Sequence, residues 1–355
     1  MTTAPAPATA HAAGAMGRLL RQSEVVLLLI IVLITAVAAV MMPDFRTFSN
    51  INSVLNTAAL VAVLAIGEAA VIIARQIDLS VGAILGITAY LDGEWSRHFS
   101  GWLVPIAGVA MALLIGAVFG IGNAFLIDVF KMPAIIATLA TLSIYTGIQI
   151  IVNNGSQLYL TQVPKWMANL RGEAWFGIGS FIWIAAICTL LVSLTLRRTR
   201  FGRDVYALGS NPGAAVYLGV KVRVRTYQLF ALCGALAGLA GLMYTSQYGN
   251  VDATAGSGMN LMAIAAAVVG GVSLFGGSGS AVSPVLGAVL LGEIQNILEL
   301  TRISTFAELT LQGVAIVVAV ATYASVSRRL RRPVRRESQP ELVAVAALAE
   351  RVGHV

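Results

Sequence analysis

Ten runs of apolar residues dominate this chain, at roughly 25–42, 53–74, 77–91, 102–127, 133–152, 176–196, 226–248, 259–275, 282–300 and 306–326. Most approach the ~20 residues that one helix needs to cross a bilayer. In lipid the backbone must satisfy its own hydrogen bonds, so the expected fold class is an all-α polytopic membrane protein of about ten transmembrane helices. Composition agrees: 58% of residues are hydrophobic and 11% are charged, where soluble domains carry about 25% charged residues.

A net charge of +7 raises nucleic acid as a partner, but the placement of the charges argues for a membrane instead. With the N-terminus in the cytosol, 18 of the 23 basic residues fall on cytoplasmic segments: Arg18, Arg21, Arg75, Lys131, seven between 197 and 225, the run Arg328–Arg336, and Arg351. Arg46, Arg97, Lys165, Arg171 and Arg302 fall outside. This bias follows the positive-inside rule and predicts an even number of spans with both termini cytosolic.

The expected organisation is a disordered tail over 1–17, a single membrane domain over 18–327 with a cytosolic loop at about 197–225, and a basic tail over 328–355. Arg18, Arg21 and the first apolar run have the outline of a signal peptide, with Ala36-Val37-Ala38 as its cleavage site. The run continues to Met42 and stops at Pro43-Asp44, the length of an uncleaved span.

Catalytic constellations are missing from the sequence. Cys188 and Cys233 both fall within predicted spans and read as small apolar packing residues. His11, His98 and His354 lie outside the spans, and no His, Cys and carboxylate cluster has metal-ligand spacing. No Gly-Lys-Ser or Gly-Lys-Thr occurs, so the usual phosphate-binding loop is lacking and any ATP must be bound by another polypeptide.

The polar segment Arg197–Arg225 stands out against this background. Asn211 is a good N-cap, Pro212 suits the first helical position, and Gly219 supplies a stop. A two-turn helix over Pro212–Leu218 is expected, with Val216, Tyr217 and Leu218 as its apolar surface, and a shorter turn over Arg203–Leu208 ended by Gly209. So short a helix is unstable alone in water and needs a partner surface. An ordinary cytoplasmic loop would account for the arginines but not for the capped helix.

The stretch TRFGRDVYALGSNPGAAVYLGV from Thr199 resembles the cytoplasmic loop of permease subunits of ribose/xylose/arabinose-type ABC importers. Ile77–Gly82 (IDLSVG), Thr138–Gly147 (TLATLSIYTG) and Ala263–Ser280 (AIAAAVVGGVSLFGGSGS) are similar to the same family, in its order and spacing. The resemblance implies a ten-span subunit broadly like the vitamin B12-importer type, working as a homodimer or heterodimer. It also implies a cytosolic ATPase subunit and an extracytoplasmic sugar-binding protein as partners. Gly202, Arg203, Gly209, Asn211, Pro212 and Gly219 would then belong to the element that docks on the ATPase. In one place the chain departs from the family: Asn260-Leu261-Met262 stands where many members carry an acidic Glu-Leu-Asp, which puts any role carried over to that site in doubt.

Internal symmetry gives a second line of argument. The short span beginning Ile77-Asp78-Leu79-Ser80 is followed by Pro-x-x-Gly at Pro105–Gly108. The one beginning Met259-Asn260-Leu261-Met262 is followed by Pro-x-x-Gly at Pro284–Gly287, offset by about 180 residues and running in the opposite direction. Short segments at matching places in inverted halves point to a transport pathway. That places Asp78, Ser80, Asn123, Gln149, Asn260, Gln295 and Asn296 along the path, with helix-to-helix hydrogen bonding as the competing explanation for each. Glu68, Asp78, Asp128, Glu293 and Glu299 lie in or at the edge of spans; of these Glu68, Asp78 and Glu293 keep open a proton- or cation-coupled carrier. A scaffold without transport is the third possibility.

Glycines four apart, Gly82/Gly86, Gly116/Gly120 and Gly234/Gly238, predict close helix approach. Gly270, Gly271, Gly276, Gly277 and Gly279 predict a tight cytosolic reversal. The function expected is that of the permease of an ABC importer for a monosaccharide. Pentoses, deoxyhexoses, hexoses and sugar-like signalling molecules are all compatible with it.

Overall fold

The computed structural model describes residues 23–301 and, beyond them, positions 310, 313, 314, 317 and 321. The tenth expected span, apart from those five positions, the 1–17 tail and the 328–355 tail lie outside the described residues. In chain order the helices are α1 (Ser23–Met41), α2 (Phe48–Ile73), α3 (Val81–Ser96), α4 (Val104–Val129), α5 (Ala134–Asn153), α6 (Lys165–Asn169), α7 (Ser180–Arg198), α8 (Arg200–Ser210), α9 (Pro212–Tyr217), α10 (Val222–Tyr248), α11 (Met259–Val269) and α12 (Ser283–Leu300). Among the described residues, six of these, α1, α2, α4, α5, α7 and α10, are long and apolar enough to cross a membrane. Among the described residues, strand structure is limited to two-residue pairs, β1 (Leu158–Tyr159) with β4 (Asn250–Val251) and β2 (Ala174–Trp175) with β3 (Ile178–Gly179).

Burial runs from the centre outwards. The apolar window of α2 is 94% buried and that of α10 is 78% buried, whereas those of α1, α4 and α5 are 17%, 28% and 28% buried. A helix that is apolar all round belongs in a core or in lipid, and both kinds occur here. The outer helices turn Leu28, Val32, Ile106, Leu114, Ile136 and Leu190 outwards, as a surface facing hydrocarbon requires.

Glycine sets the closest contact. Helix α4 packs against α10 with Gly116 and Gly120 opposite Gly234 and Gly238, and a Cβ added at Gly116 would lie 2.0 Å from the Gly234 carbonyl oxygen. The expected close approach is therefore present. Gly82 and Gly86 serve a different neighbour, since their added Cβ atoms would meet the carbonyl oxygens of Gly256 and Ala255, in the turns before α11, at 2.5 and 2.1 Å.

Two of the expected spans differ from their apolar runs, one shifted along the chain and one shortened. Helix α3 begins at Val81 and not at 77, because the backbone over 76–80 turns through the Asp78 side chain, which accepts from the Ser80 N–H at 2.9 Å. Helix α11 ends at Val269 and not at 275, because the glycine-rich reversal starts there. Gly271, Gly276, Gly277 and Gly279 all take positive φ, and a Cβ at Gly276 would meet Arg75 Cγ at 2.3 Å. The two short helices start side by side in the interior, where Asn260 Nδ2 donates to the Leu79 carbonyl at 3.0 Å.

From that junction they run to opposite ends of the molecule. The end reached by α11 holds Arg75, Asp128, Lys131, α8, α9 and the 270–282 reversal. These are tied together by Arg223–Asp128 at 2.7 Å, Arg225–Asp204 at 2.6 Å, and Arg75 donating to the Phe275 carbonyl at 2.6 Å. The end reached by α3 holds the strands, α6 and Arg171. Among the described residues, the basic ones assigned by sequence to the cytoplasmic side thus share one end, called the basic end below; the other is the far end.

Candidate functional site

At the basic end the chain leaves α7 and turns at once into α8. Thr199 caps α8, its Oγ1 accepting from the Gly202 N–H at 3.2 Å. Gly202 lets the corner close, since a Cβ there would lie 1.9 Å from the Leu196 carbonyl oxygen. The short turn expected over Arg203–Leu208 is in fact this longer helix, Arg200–Ser210. Gly209 lies inside it and does not end it. Its role is contact: a Cβ there would meet the Ile73 carbonyl oxygen at 1.8 Å and the Gly277 nitrogen at 2.4 Å. Helix α8 is thereby seated on the end of the central helix α2 and on the glycine reversal, and Tyr206 adds a hydrogen bond from its hydroxyl to the Gly279 carbonyl at 2.8 Å. Burial pushes the Tyr206 hydroxyl up from its usual range, with Arg197 acting the other way, so the group stays a donor.

Helix α9 follows as the sequence predicts. Asn211 Oδ1 accepts from the Ala214 N–H at 3.1 Å, Pro212 occupies the first turn, and Gly219 takes φ +81° beyond the end. Only Ala215 is buried, whereas Val216, Tyr217 and Leu218 are 55%, 93% and 81% exposed. Arg203 is also exposed. The outcome is a capped helix, anchored through α8 on the membrane core, with a bare apolar face at the basic end.

The interior holds a different arrangement. Asp78, Ser80 and Asn123 come together, fully buried. Ser80 Oγ donates to Asp78 Oδ1 at 2.6 Å, and Asn123 Nδ2 reaches Asp78 Oδ2 at 3.0 Å and Ser80 Oγ at 2.8 Å. Glu68 Oε1 accepts the Asp78 N–H at 3.1 Å, and its other oxygen faces Cys233 Sγ at 3.8 Å. Cys233 therefore does more than fill space. These groups hold the 76–80 turn in which α3 begins.

Gln149 and Asn260 line a separate cavity of about 490 Å³ between α3, α5 and the segment before α11. Both are tied to backbone, Gln149 Nε2 to the Asp252 and Ala255 carbonyls at 3.2 Å each. Gln295 and Asn296 lie near the far end of α12. Asn296 exchanges two amide hydrogen bonds with Asn50, at 2.9 and 2.8 Å. The seven residues expected along the path thus fall into three places along the molecule.

The remaining carboxylates have local partners. Asp128 pairs with Lys131 and Arg223 at the basic end. Glu293 accepts from Thr35 Oγ1 at 2.6 Å, joining α1 to α12, and Glu299 accepts from Gln295 at 3.1 Å. One carboxylate escaped the sequence analysis. Asp92 is fully buried on α3, and neither of its oxygens has a partner; nor have Thr88 Oγ1 and Ser96 Oγ, one turn to either side. The signal was available, because three polar residues spaced by four mark one helical face. It was lost because the third apolar run was ended at residue 91. Among the described residues no group of three or more His, Cys, Asp or Glu is placed to hold a metal ion.

The family model described as "Branched-chain amino acid transport system / permease component" matches residues 50–320, which takes in both the core and the basic-end surface. The chain belongs to this permease family. Its relatives include the autoinducer 2 import system permease protein LsrC of Salmonella choleraesuis strain SC-B67, 33% identical over 84% of this chain and 85% of that protein. The protein of the same name from Escherichia coli O9:H4 strain HS is 34% identical over 83% and 84%. No solved structure matches the permease. The resemblance drawn from its motifs holds at the level of the family, and the permease is a multi-pass membrane protein.

Proposed function

We propose that this permease is the membrane-spanning subunit of an ABC importer that moves a monosaccharide, a pentose, deoxyhexose or hexose, into the bacterial cytosol. A separate ATPase subunit binds ATP and docks on α9. An extracytoplasmic binding protein delivers the sugar, and a second permease copy, identical or related, completes the path. The observation that carries this proposal is the bare face of Val216, Tyr217 and Leu218 on a capped helix seated against α2. A carrier driven by an ion gradient has no need of such a surface.

The finer architecture belongs to the same proposal. It has ten spans in two inverted halves, broadly like the vitamin B12-importer type, with the basic end and both termini in the cytosol. The two short helices that start together and run to opposite ends support the inverted halves. Import of autoinducer 2 is named for the relatives and branched-chain amino acids for the family model; the sugar rests on the motifs at Ile77, Thr138, Thr199 and Ala263.

Co-expression with candidate ATPase subunits tests the proposal. The native chain is expected to retain a nucleotide-hydrolysing subunit through purification. A chain with Asn211–Gly219 replaced by a Gly/Ser linker of equal length should lose it. Retention by the linker variant, or flux in vesicles that follows a proton gradient without ATP, would overturn it.

A further inference from the structure

At the far end, between α2, α10 and α12, lies a recess of about 240 Å³. This is the liquid volume of about eight waters, the scale of one sugar ring. Arg171 lines both this recess and a larger cavity of about 740 Å³ around the start of α2. The recess lies at the opposite ends of α2, α10 and α12 from the docking face, where an imported solute must enter.

Its hydrogen bonding is incomplete in a specific way. Gln247 Nε2 donates to Thr57 Oγ1 at 3.1 Å and Gln295 Nε2 donates to Glu299 Oε1 at 3.1 Å. Each amide is thereby fixed with its oxygen turned elsewhere, and both oxygens, Gln247 Oε1 and Gln295 Oε1, are buried without a donor. An unsatisfied buried acceptor costs about 1–3 kcal/mol. Beside them Arg171 is held by Ser53 Oγ, to which it donates at 3.0 Å, and by the Gln247 carbonyl at 3.4 Å.

The recess therefore presents two amide oxygens without donors and the Glu299 carboxylate as acceptors, next to the Arg171 guanidinium and the hydroxyls of Ser53, Thr57 and Tyr248. A ligand hydroxyl donates to the first kind of group and accepts from the second, so neighbouring hydroxyls on a ring satisfy both. A branched aliphatic side chain would meet mostly polar groups there.

We infer that this recess is a binding site for a polyhydroxylated ligand of monosaccharide size. The inference rests on the importer function proposed above and names where its substrate first meets the permease.

The test uses the complete transporter in right-side-out vesicles, with Ser53→Cys introduced into the otherwise native chain; Cys188 and Cys233 are buried. A charged methanethiosulfonate reports the labelling rate of the new cysteine, with and without d-ribose, d-xylose, l-rhamnose, d-galactose or l-leucine, and uptake of each solute is followed in parallel. At least one sugar that is taken up should slow labelling, by about fivefold at four times its Kd. Adding Gln295→Leu should raise the half-protecting concentration about three- to tenfold. Thr57→Cys replaces the first variant if that one fails to assemble.

A sugar that is taken up while the labelling rate stays constant would overturn the recess and leave the sugar importer standing. Protection and uptake with leucine alone would overturn both. A cysteine that never reacts would show a closed recess and overturn the site by itself.

Discussion

Asn260 shows how much one side chain decides at the interior junction. Its amide donates to the Leu79 carbonyl at 3.0 Å and joins the starts of α3 and α11; an ionised carboxylate has no proton to give. Asn260→Asp should destabilise the permease by about 1–3 kcal/mol, seen as a lower Tm in nanodiscs, whereas an unchanged Tm would mean that the contact contributes nothing. Asp92 is the opposite case. A buried carboxylate without a partner is costly when charged, and Asp92→Asn removes the charge at nearly constant volume. It should raise Tm or leave it unchanged, and a fall in Tm would show that the charge has an ally within the fold. Asn260 was legible because its Asn-Leu-Met departs from the family pattern. Asp92 was not, because hydropathy averages over neighbours and one polar residue at a boundary shortens the apparent span.

Elements divide in the same way between local and tertiary causes. Helix α9 was readable from sequence because Asn211, Pro212 and Gly219 act within a few residues of their own positions. Helix α8 was read too short because Gly209 looks like a stop, and its reason for being glycine lies 136 residues away, at the Ile73 carbonyl. Gly209→Val should therefore loosen α8 from α2 while α9 keeps its own caps. The expected result is loss of coupling between ATP hydrolysis and uptake, with membrane insertion intact; full coupling in that variant would count against seating through Gly209. For α4 and α10, Gly116→Val places atoms against the Gly234 backbone. Overpacking costs about 1–3 kcal/mol where side chains can yield, and backbone yields less. Gly147, with nothing within 4 Å of an added Cβ, is the control: Gly147→Ala should leave Tm within experimental error.

For the molecule as a whole, a polarity read from charge alone agrees with one built from contacts. Arg75, Lys131, Arg223 and Arg225 share an end, where Asp128, Asp204 and the Phe275 carbonyl bind them. Arg171 and Lys165 lie at the other. Lys and Arg near helix ends are retained on the cytoplasmic side during insertion, so the basic end, with α9, should face the cytosol. Single cysteines at two highly exposed positions decide this, Tyr217 at 93% and Phe176 at 97% exposure. In intact spheroplasts a membrane-impermeant maleimide should label Phe176→Cys and spare Tyr217→Cys, and disruption should open Tyr217→Cys to the reagent when no ATPase subunit is present. Co-expression of the docking ATPase should then protect Tyr217→Cys and leave Phe176→Cys reactive. Labelling of Tyr217→Cys in intact cells would invert the molecule, put the docking face outside and leave no surface on which a cytosolic motor could act.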